Sequence, residues 1–303
     1  MPKSAGTTTC IFMKKPNNIS LTPARAEKKY GASLDLLDLD LLLADALKKT
    51  REFVFTYPKT RLSGPQIKMF LKNLRRRQKG EPLAYILGHK EFFGLDFLVN
   101  KRVLIPRPET ELLVEEATKE ISNQIKKSND KILLIDVGTG SGCVPIAILK
   151  ALKHGDIGAI AIDISAAAIK VAKHNAKKHQ VKIKFIQGDL LKALKKYFST
   201  IQKRNNVTIY LTANLPYLTT SETRAVKFEP PTALSGGAAG LAIYKKLFYQ
   251  ICELPTRPKY IYLEIGWRQA AGIKKLIKKY FPQSKVKIKK DLAGFDRLVF
   301  IEL

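Results

Sequence analysis

The sequence predicts an α/β fold: a mostly parallel sheet with helices on both faces, an antiparallel C-terminal edge, and a small helical domain in front of it. Three observations carry this. From about Glu109 onward, short apolar runs alternate with stretches of helical periodicity. The first of these runs, residues 132–136, passes directly into a glycine-rich turn, Gly138-Thr139-Gly140-Ser141-Gly142. Between about Thr22 and Leu87 the periodicity is helical instead.

Taken in order, residues 1–20 carry Lys3, Lys14 and Lys15 but no apolar run long enough for a signal peptide, and read as a flexible leader. Residues 21–88 form the helical domain. Within it Leu34, Leu37, Leu41, Ala44 and Leu47 recur at three- and four-residue steps, with Ser33 as the candidate cap. Gly64-Pro65 starts a second run through Ile67, Phe70, Leu71 and Leu74, and Gly80 ends it. Residues 89–106 read as a β-hairpin linker, with β-prone stretches at 91–99 and 102–105 on either side of Asn100-Lys101. The domain 107–303 opens with a helix over 110–125. Strands follow at 132–136, 159–163, 182–187, 207–213 and 260–265, with helices at 144–153, 166–178, 241–253 and 270–280. Residues 285–289 and 298–302 close the chain as an edge pair.

Composition narrows the function. Lys and Arg number 54 against 26 acidic residues, a net charge of +28. Such a surface draws polyanions weakly and without sequence preference, or reflects a Lys-rich composition that solvates helix faces; the even spread of the lysines favours the second reading. Cys10, Cys143 and Cys252 offer neither metal-ligand spacing nor a disulfide framework, and the four histidines are scattered, so no metal is expected and a reducing cytoplasm fits. No apolar stretch approaches the ~18 residues of a membrane span.

The chemistry begins at the glycine turn. Glycines let the backbone turn tightly and let a ligand lie against it, and the helix that follows offers free N–H groups. The spacing is G-x-G-x-G, unlike the G-x-G-x-x-G of dinucleotide binders. The next strand ends in Asp163, placed to accept the two ribose hydroxyls of an adenosine. After the third strand come Gly188-Asp189-Leu190, an acid and an apolar residue suited to adenine. Asp136 and the glycine turn would face an amino-acid end with its ammonium and carboxylate. The constellation points to S-adenosyl-L-methionine.

The fourth strand ends in Asn214-Leu215-Pro216-Tyr217, beside that cofactor, because ligands of open α/β sheets bind beyond the carboxyl ends of the strands. Methyl transfer is an in-line displacement, and a planar amide nitrogen needs its lone pair aimed at the methyl group. The Asn214 side-chain oxygen and the Leu215 carbonyl can accept both N–H bonds of such a group. Pro216 stiffens the turn and Tyr217 can pack on a flat substrate. Arg107, Glu109 and Glu111 precede the first helix and either line the cleft, as substrate contacts, or cap that helix.

In four stretches the chain resembles the release factor glutamine methyltransferases: Glu81-Pro-Leu-Ala-Tyr-Ile-Leu-Gly88 with Glu91-Phe-Phe-Gly94, Val103-Leu-Ile-Pro-Arg-Pro-Glu-Thr-Glu111, Asp136–Gly142, and Asp291-Leu-Ala-Gly-Phe-Asp-Arg297. The resemblance implies a Rossmann-like class I methyltransferase sheet, an N-terminal domain that docks class I peptide chain release factors, and a target in the glutamine of their Gly-Gly-Gln loop. It also implies that Gly138–Gly142, Asp163, Leu190 and Asn214 contact the cofactor and that Asn214–Tyr217 hold the glutamine. Leu215 and Ala239 depart from the family pattern, which has Pro and Asp there. A ribosomal-protein glutamine methyltransferase shares the tetrapeptide, but the Pro-Glu-Thr-Glu continuation favours release factors. Asn-Leu-Pro-Tyr also occurs in ribosomal RNA adenine methyltransferases, which lack an equivalent of residues 105–111.

Overall fold

Alternating apolar runs and amphipathic helices produce the layered sheet they predict. The computed structural model describes residues 21–128, 130–153, 157–194, 197, 206–237 and 239–303. The expected leader, 1–20, lies outside the described residues. The chain divides into two compact units, Met1–Leu87 and Gly88–Leu303.

The described part of the first unit is helical: α1 (Pro23–Tyr30), α2 (Leu36–Leu47), α3 (Arg51–Thr56), α4 (Gly64–Gln78) and α5 (Leu83–Leu87). The cap of α2 is Asp35, not the expected Ser33. The Asp35 carboxylate accepts the Leu37 and Asp38 N–H groups, whereas the Ser33 hydroxyl donates to the Tyr30 carbonyl. Of the expected buried face of α2, Ala44 and Leu47 are buried and Leu34 and Leu41 half-buried, and Leu37 is the exception. Leu39, Leu42, Leu43 and Ala46 fill the core with Phe70 and Leu74, and Leu37 is 47% exposed. The run Leu36-Leu-Asp-Leu-Asp-Leu-Leu-Leu is apolar almost all round, so its spacing does not set the phase; packing against α4 does.

The second unit begins with a hairpin, β1 (His89–Phe92) and β2 (Leu95–Leu98). Its turn is Phe93-Gly94, not the expected Asn100-Lys101. Both turn residues have positive φ (52° and 70°), the geometry that matches strand twist across a two-residue connection. Residues 102–105 form no strand; the Asn100 side chain and carbonyl turn the chain by accepting the Arg102 and Val103 N–H groups. Phe92 and Phe97 are buried in the core of this unit, and Asn175 pairs with both the N–H and the carbonyl of Leu98.

The sheet order is β5-β4-β3-β6-β7-β9-β8. Strands β3 (Lys131–Val137), β4 (Ile157–Asp163), β5 (Lys184–Gln187), β6 (Val207–Ala213) and β7 (Tyr260–Glu264) are parallel; β8 (Lys285–Lys290) and β9 (Asp296–Glu302) form the antiparallel edge. On one face Leu134, Tyr210 and Tyr262 pack on α6 (Glu111–Lys127) and α7 (Cys143–Leu152). On the other, Ile135, Leu211 and Leu263 meet the helices Ala242–Cys252 and Ala270–Tyr280. Chain order reverses between β3 and β6, so the carboxyl ends of β3, β4, β6 and β7 open together onto one crevice.

Candidate active site

One half of the crevice is made by the backbone. Gly138, Gly140 and Gly142 all have positive φ (74°, 54° and 80°), which side-chain-bearing residues rarely adopt. The Gly138 and Thr139 N–H groups both donate to the Ile162 carbonyl, at 2.8 and 3.0 Å, which pins the loop to β4. A Cβ on Gly142 would come within 3.2 Å of Ala172, whereas one on Gly140 would meet open space. The Gly140 N–H donates to Asp163 Oδ2 and the Ser165 N–H to Asp163 Oδ1, both at 2.8 Å. Burial pushes the Asp163 carboxyl above its usual range, and those two N–H groups oppose the shift. Each Asp163 oxygen retains a second lone pair for a ligand hydroxyl.

These residues bound a cavity of about 320 Å³, whose walls include Gly138–Ser141, Asp163, Asp189, Leu190 and Asn214–Pro216. Val103 and Leu104 line it on one side, and Pro230, Thr232 and Ala233 line it as well. Asp189 is paired with Lys246 at 2.5 Å. Asp136 is buried and outside the lining; it accepts the Thr212 hydroxyl at 2.7 Å. Burial pushes its carboxyl up to about 6, against that hydrogen bond.

The other half is made by side chains. Asn214 follows β6, and its amide nitrogen donates to Thr110 Oγ1 at 3.0 Å and to Glu264 Oε2 at 2.9 Å. The Thr110 hydroxyl itself donates to Glu264 Oε2 at 2.5 Å, and the Tyr217 hydroxyl donates to Glu264 Oε1 at 3.3 Å. Both hydrogens of the Asn214 amide are therefore used, and Oδ1 keeps its lone pairs, with no hydrogen bond to it among the described residues. Among the described residues the Leu215 carbonyl receives only a long 3.4 Å hydrogen bond, from the Tyr244 hydroxyl. Burial pushes the Tyr217 phenol well above its ordinary range, and the Glu264 charge adds to that. No helix among the described residues is long and apolar enough to cross a membrane.

Residues 27–88 match the family described as PrmC N-terminal domain, and residues 126–222 the one described as Methyltransferase domain. The release factor glutamine methyltransferase of Coxiella burnetii is 37% identical over 266 residues, covering 87% of this chain and 90% of that protein. The Bacillus anthracis enzyme of the same name is 31% identical over 269 residues, covering 87% and 91%. The chain belongs to the release factor glutamine methyltransferase family. Among solved structures, the hMettl16 catalytic domain in complex with a MAT2A 3'UTR hairpin aligns with TM-score 0.53 and 14% identity over 79% of this chain and 82% of that one. At that identity the likeness is one of fold.

As a release factor glutamine methyltransferase the chain uses S-adenosyl-L-methionine. The residues present fit that group: an open glycine cradle, a carboxylate with free lone pairs at the end of β4, and an apolar wall at Leu190. The crevice of this methyltransferase brings Gly138, Thr139, Gly140, Ser141, Asp163, Asp189, Leu190, Asn214, Leu215 and Pro216 onto one cavity, with Gly142 behind the loop at the start of α7. Tyr217 turns its hydroxyl to Glu264 instead of lining the cavity. Arg107 pairs with the buried Glu229, which also accepts the Ile105 N–H, so the two hold the segment that walls the cavity. Glu109 is exposed in the turn Pro108–Thr110, outside the lining, and Glu111 accepts the Phe93 N–H. Sequence reasoning missed Thr110, Glu229, Tyr244 and Glu264. Of these, Thr110 lay inside the family-like stretch 103–111 without a role assigned to it, and Glu264 stood as a lone acid at the carboxyl end of an apolar strand.

Proposed function

We propose that the chain methylates the side-chain amide nitrogen of the glutamine in the Gly-Gly-Gln loop of class I peptide chain release factors, with the Asn214–Tyr217 segment holding the carboxamide. The observation that carries this is Asn214: its nitrogen is saturated by Thr110 and Glu264, so an acceptor oxygen is left at the cavity wall. Asn214 Oδ1 accepts one N–H of the substrate amide and the Leu215 carbonyl the other, which turns the nitrogen lone pair toward the cofactor side. The sulfonium supplies a methyl group and a good leaving group. Its neutral thioether would leave as the methyl group passes to the amide nitrogen, which would then lose a proton to solvent. Rate comes from positioning and preorganised acceptors, not from a strong base.

On the cofactor side, Asp163 takes the ribose hydroxyls, Asp189 and Leu190 flank the adenine, and Gly138–Gly142 with Asp136 serve the amino-acid end. Arg107 and Glu109 belong to the segment that borders the substrate, Arg107 by holding it against Glu229. Residues 21–88 dock the release factor, residues 89–106 lead from them to the catalytic part 107–303, and the cytoplasm is the expected compartment. The net charge of +28 adds at most weak, nonspecific polyanion binding.

The test is to incubate the protein with labelled cofactor, purified release factor and ribosomal RNA, and to map the label by mass spectrometry. Label on the loop glutamine is expected, with little dependence on salt. Label in RNA adenine that fades steeply as salt rises would replace this reading with the RNA one.

A further inference from the structure

Glu264 sits at the end of β7 and is 2% exposed. Its carboxylate meets three donors: the Asn214 amide, the Thr110 hydroxyl and the Tyr217 hydroxyl. Two of the three belong to the tetrapeptide 214–217, and the third comes from a turn more than a hundred residues away. Hydrogen-bond direction gives this set of partners a consequence. An ionised carboxylate can only accept. It fixes the Thr110 hydrogen on itself, so Thr110 Oγ1 can only accept from Asn214. Both neighbours therefore demand the nitrogen end of the Asn214 amide.

Polarity matters because an asparagine amide is nearly the same shape both ways round. With Oδ1 facing the acceptor site it receives a substrate N–H; turned over, its own NH2 would oppose that N–H. We infer that Glu264 is a positioning residue of the methyl transfer, one that fixes the Asn214 amide the right way round for the substrate carboxamide. This rests on the proposed role of Asn214 and goes beyond it, because it assigns the orientation to a buried acid on a different strand.

The arrangement depends on the charge of Glu264. Burial pushes its carboxyl up to about 7, opposed by the Thr110 hydrogen bond and the Arg297 charge, with Glu109 pushing further up. Arg297 donates to the Ile265 carbonyl and to Asp291, and the Tyr244 hydroxyl donates to the Glu264 carbonyl. Tyr217, Tyr244 and Cys143 all have pKa values pushed up, so they keep their protons through neutral pH. As pH falls through about 7, Glu264 gains a proton and can donate, and the demand for the Asn214 nitrogen is lost.

The experiment compares wild type with Glu264→Gln on purified release factor at saturating cofactor, reading kcat from pH 5.5 to 9 and cofactor Kd by calorimetry. Gln can present either end of its amide to Asn214. The expected result is a kcat about 10- to 100-fold lower at pH 8 with Kd within about twofold. In wild type kcat rises with pH through about 7, and in Glu264→Gln that step is gone. A kcat within twofold of wild type, or a step that survives the substitution, overturns the inference. If Glu264→Gln loses cofactor binding, Thr110→Val decides: lower kcat with intact Kd supports the role, and unchanged kcat overturns it. A wild type that leaves the glutamine unlabelled sinks the underlying reading; an active wild type with an indifferent variant sinks only Glu264.

Discussion

The two halves of the crevice are built by different means. The cofactor half is backbone: three positive-φ glycines, N–H groups that donate to Ile162 and Asp163, and a helix start at Gly142. The acceptor half is a side-chain network in which Thr110, Asn214, Tyr217 and Glu264 converge from three separate stretches of chain. A backbone cradle is fixed by the loop's own conformation. A side-chain network is fixed only if every partner is present and in the right protonation state. The cofactor half should therefore lose affinity by increments, whereas the acceptor half should lose rate abruptly.

The largest effect expected is on the acceptor side. Asn214→Ala removes one of the two proposed acceptors for the substrate N–H groups and leaves the Glu264 carboxylate short of a donor. The rate constant for transfer should fall roughly 10²- to 10³-fold, the usual scale for deleting one preorganised hydrogen-bonding group at a reaction centre. Cofactor Kd should stay within about twofold. Labelled-methyl transfer under single-turnover conditions separates the two quantities, and equal activity would remove Asn214 from the chemistry.

Asp163→Ala tests the backbone half and should give the reverse pattern. It removes the acceptor for the Gly140 and Ser165 N–H groups as well as the proposed ribose acceptor. Hydrogen bonds to a charged group contribute about 1.5–3 kcal/mol, so Kd should rise about 10- to 100-fold. With cofactor saturating, the transfer rate should recover most of its wild-type value. A titration that finds unchanged Kd would break the assignment of Asp163 to the cofactor.

How much of this was legible in the sequence follows the same division. The turn at 138–142 and the acid at Asp163 lie within one strand–loop–helix–strand unit, so local spacing announces them. Asn214 was legible because Asn-Leu-Pro-Tyr is a contiguous motif at a strand end. Thr110 and Glu264 stand 154 residues apart, and only the packing of α6 and the turn before it against the end of β7 puts them together. The same logic explains the misread hairpin turn. Asn100-Lys101 does turn the chain, but the hairpin closes at Phe93-Gly94, where Gly94 takes the positive φ a two-residue turn needs and Phe92 and Phe97 are both buried. The phase of α2 was legible in part, with Ala44 and Leu47 buried as expected and Leu37 exposed, because leucine occupies nearly every face of that helix and gives little contrast.

The smallest effect expected concerns what the backbone half costs the fold. Asp136 is buried under the glycine loop, with its carboxyl pushed from 3.8 up to about 6. The native state therefore binds more protons than the unfolded chain between about pH 4 and 6. Stability is highest below that window, falls as pH rises through it, and levels off above it. The stability lost across that window is on the order of 1–3 kcal/mol. Asp136→Asn keeps an oxygen for the Thr212 hydroxyl but carries no charge. At pH 7.5 it should melt a few degrees higher than wild type, with the gap closing toward pH 4. If the charge is held there for the amino-acid end of the cofactor, Kd should rise in the same variant, so stability and affinity move in opposite directions. Thermal denaturation at the two pH values, beside calorimetry at pH 7.5, reads both. A variant that melts no higher than wild type at pH 7.5 would show that the buried carboxylate carries no such cost, and the contrast between the two halves would then rest on Asn214 and Asp163 alone.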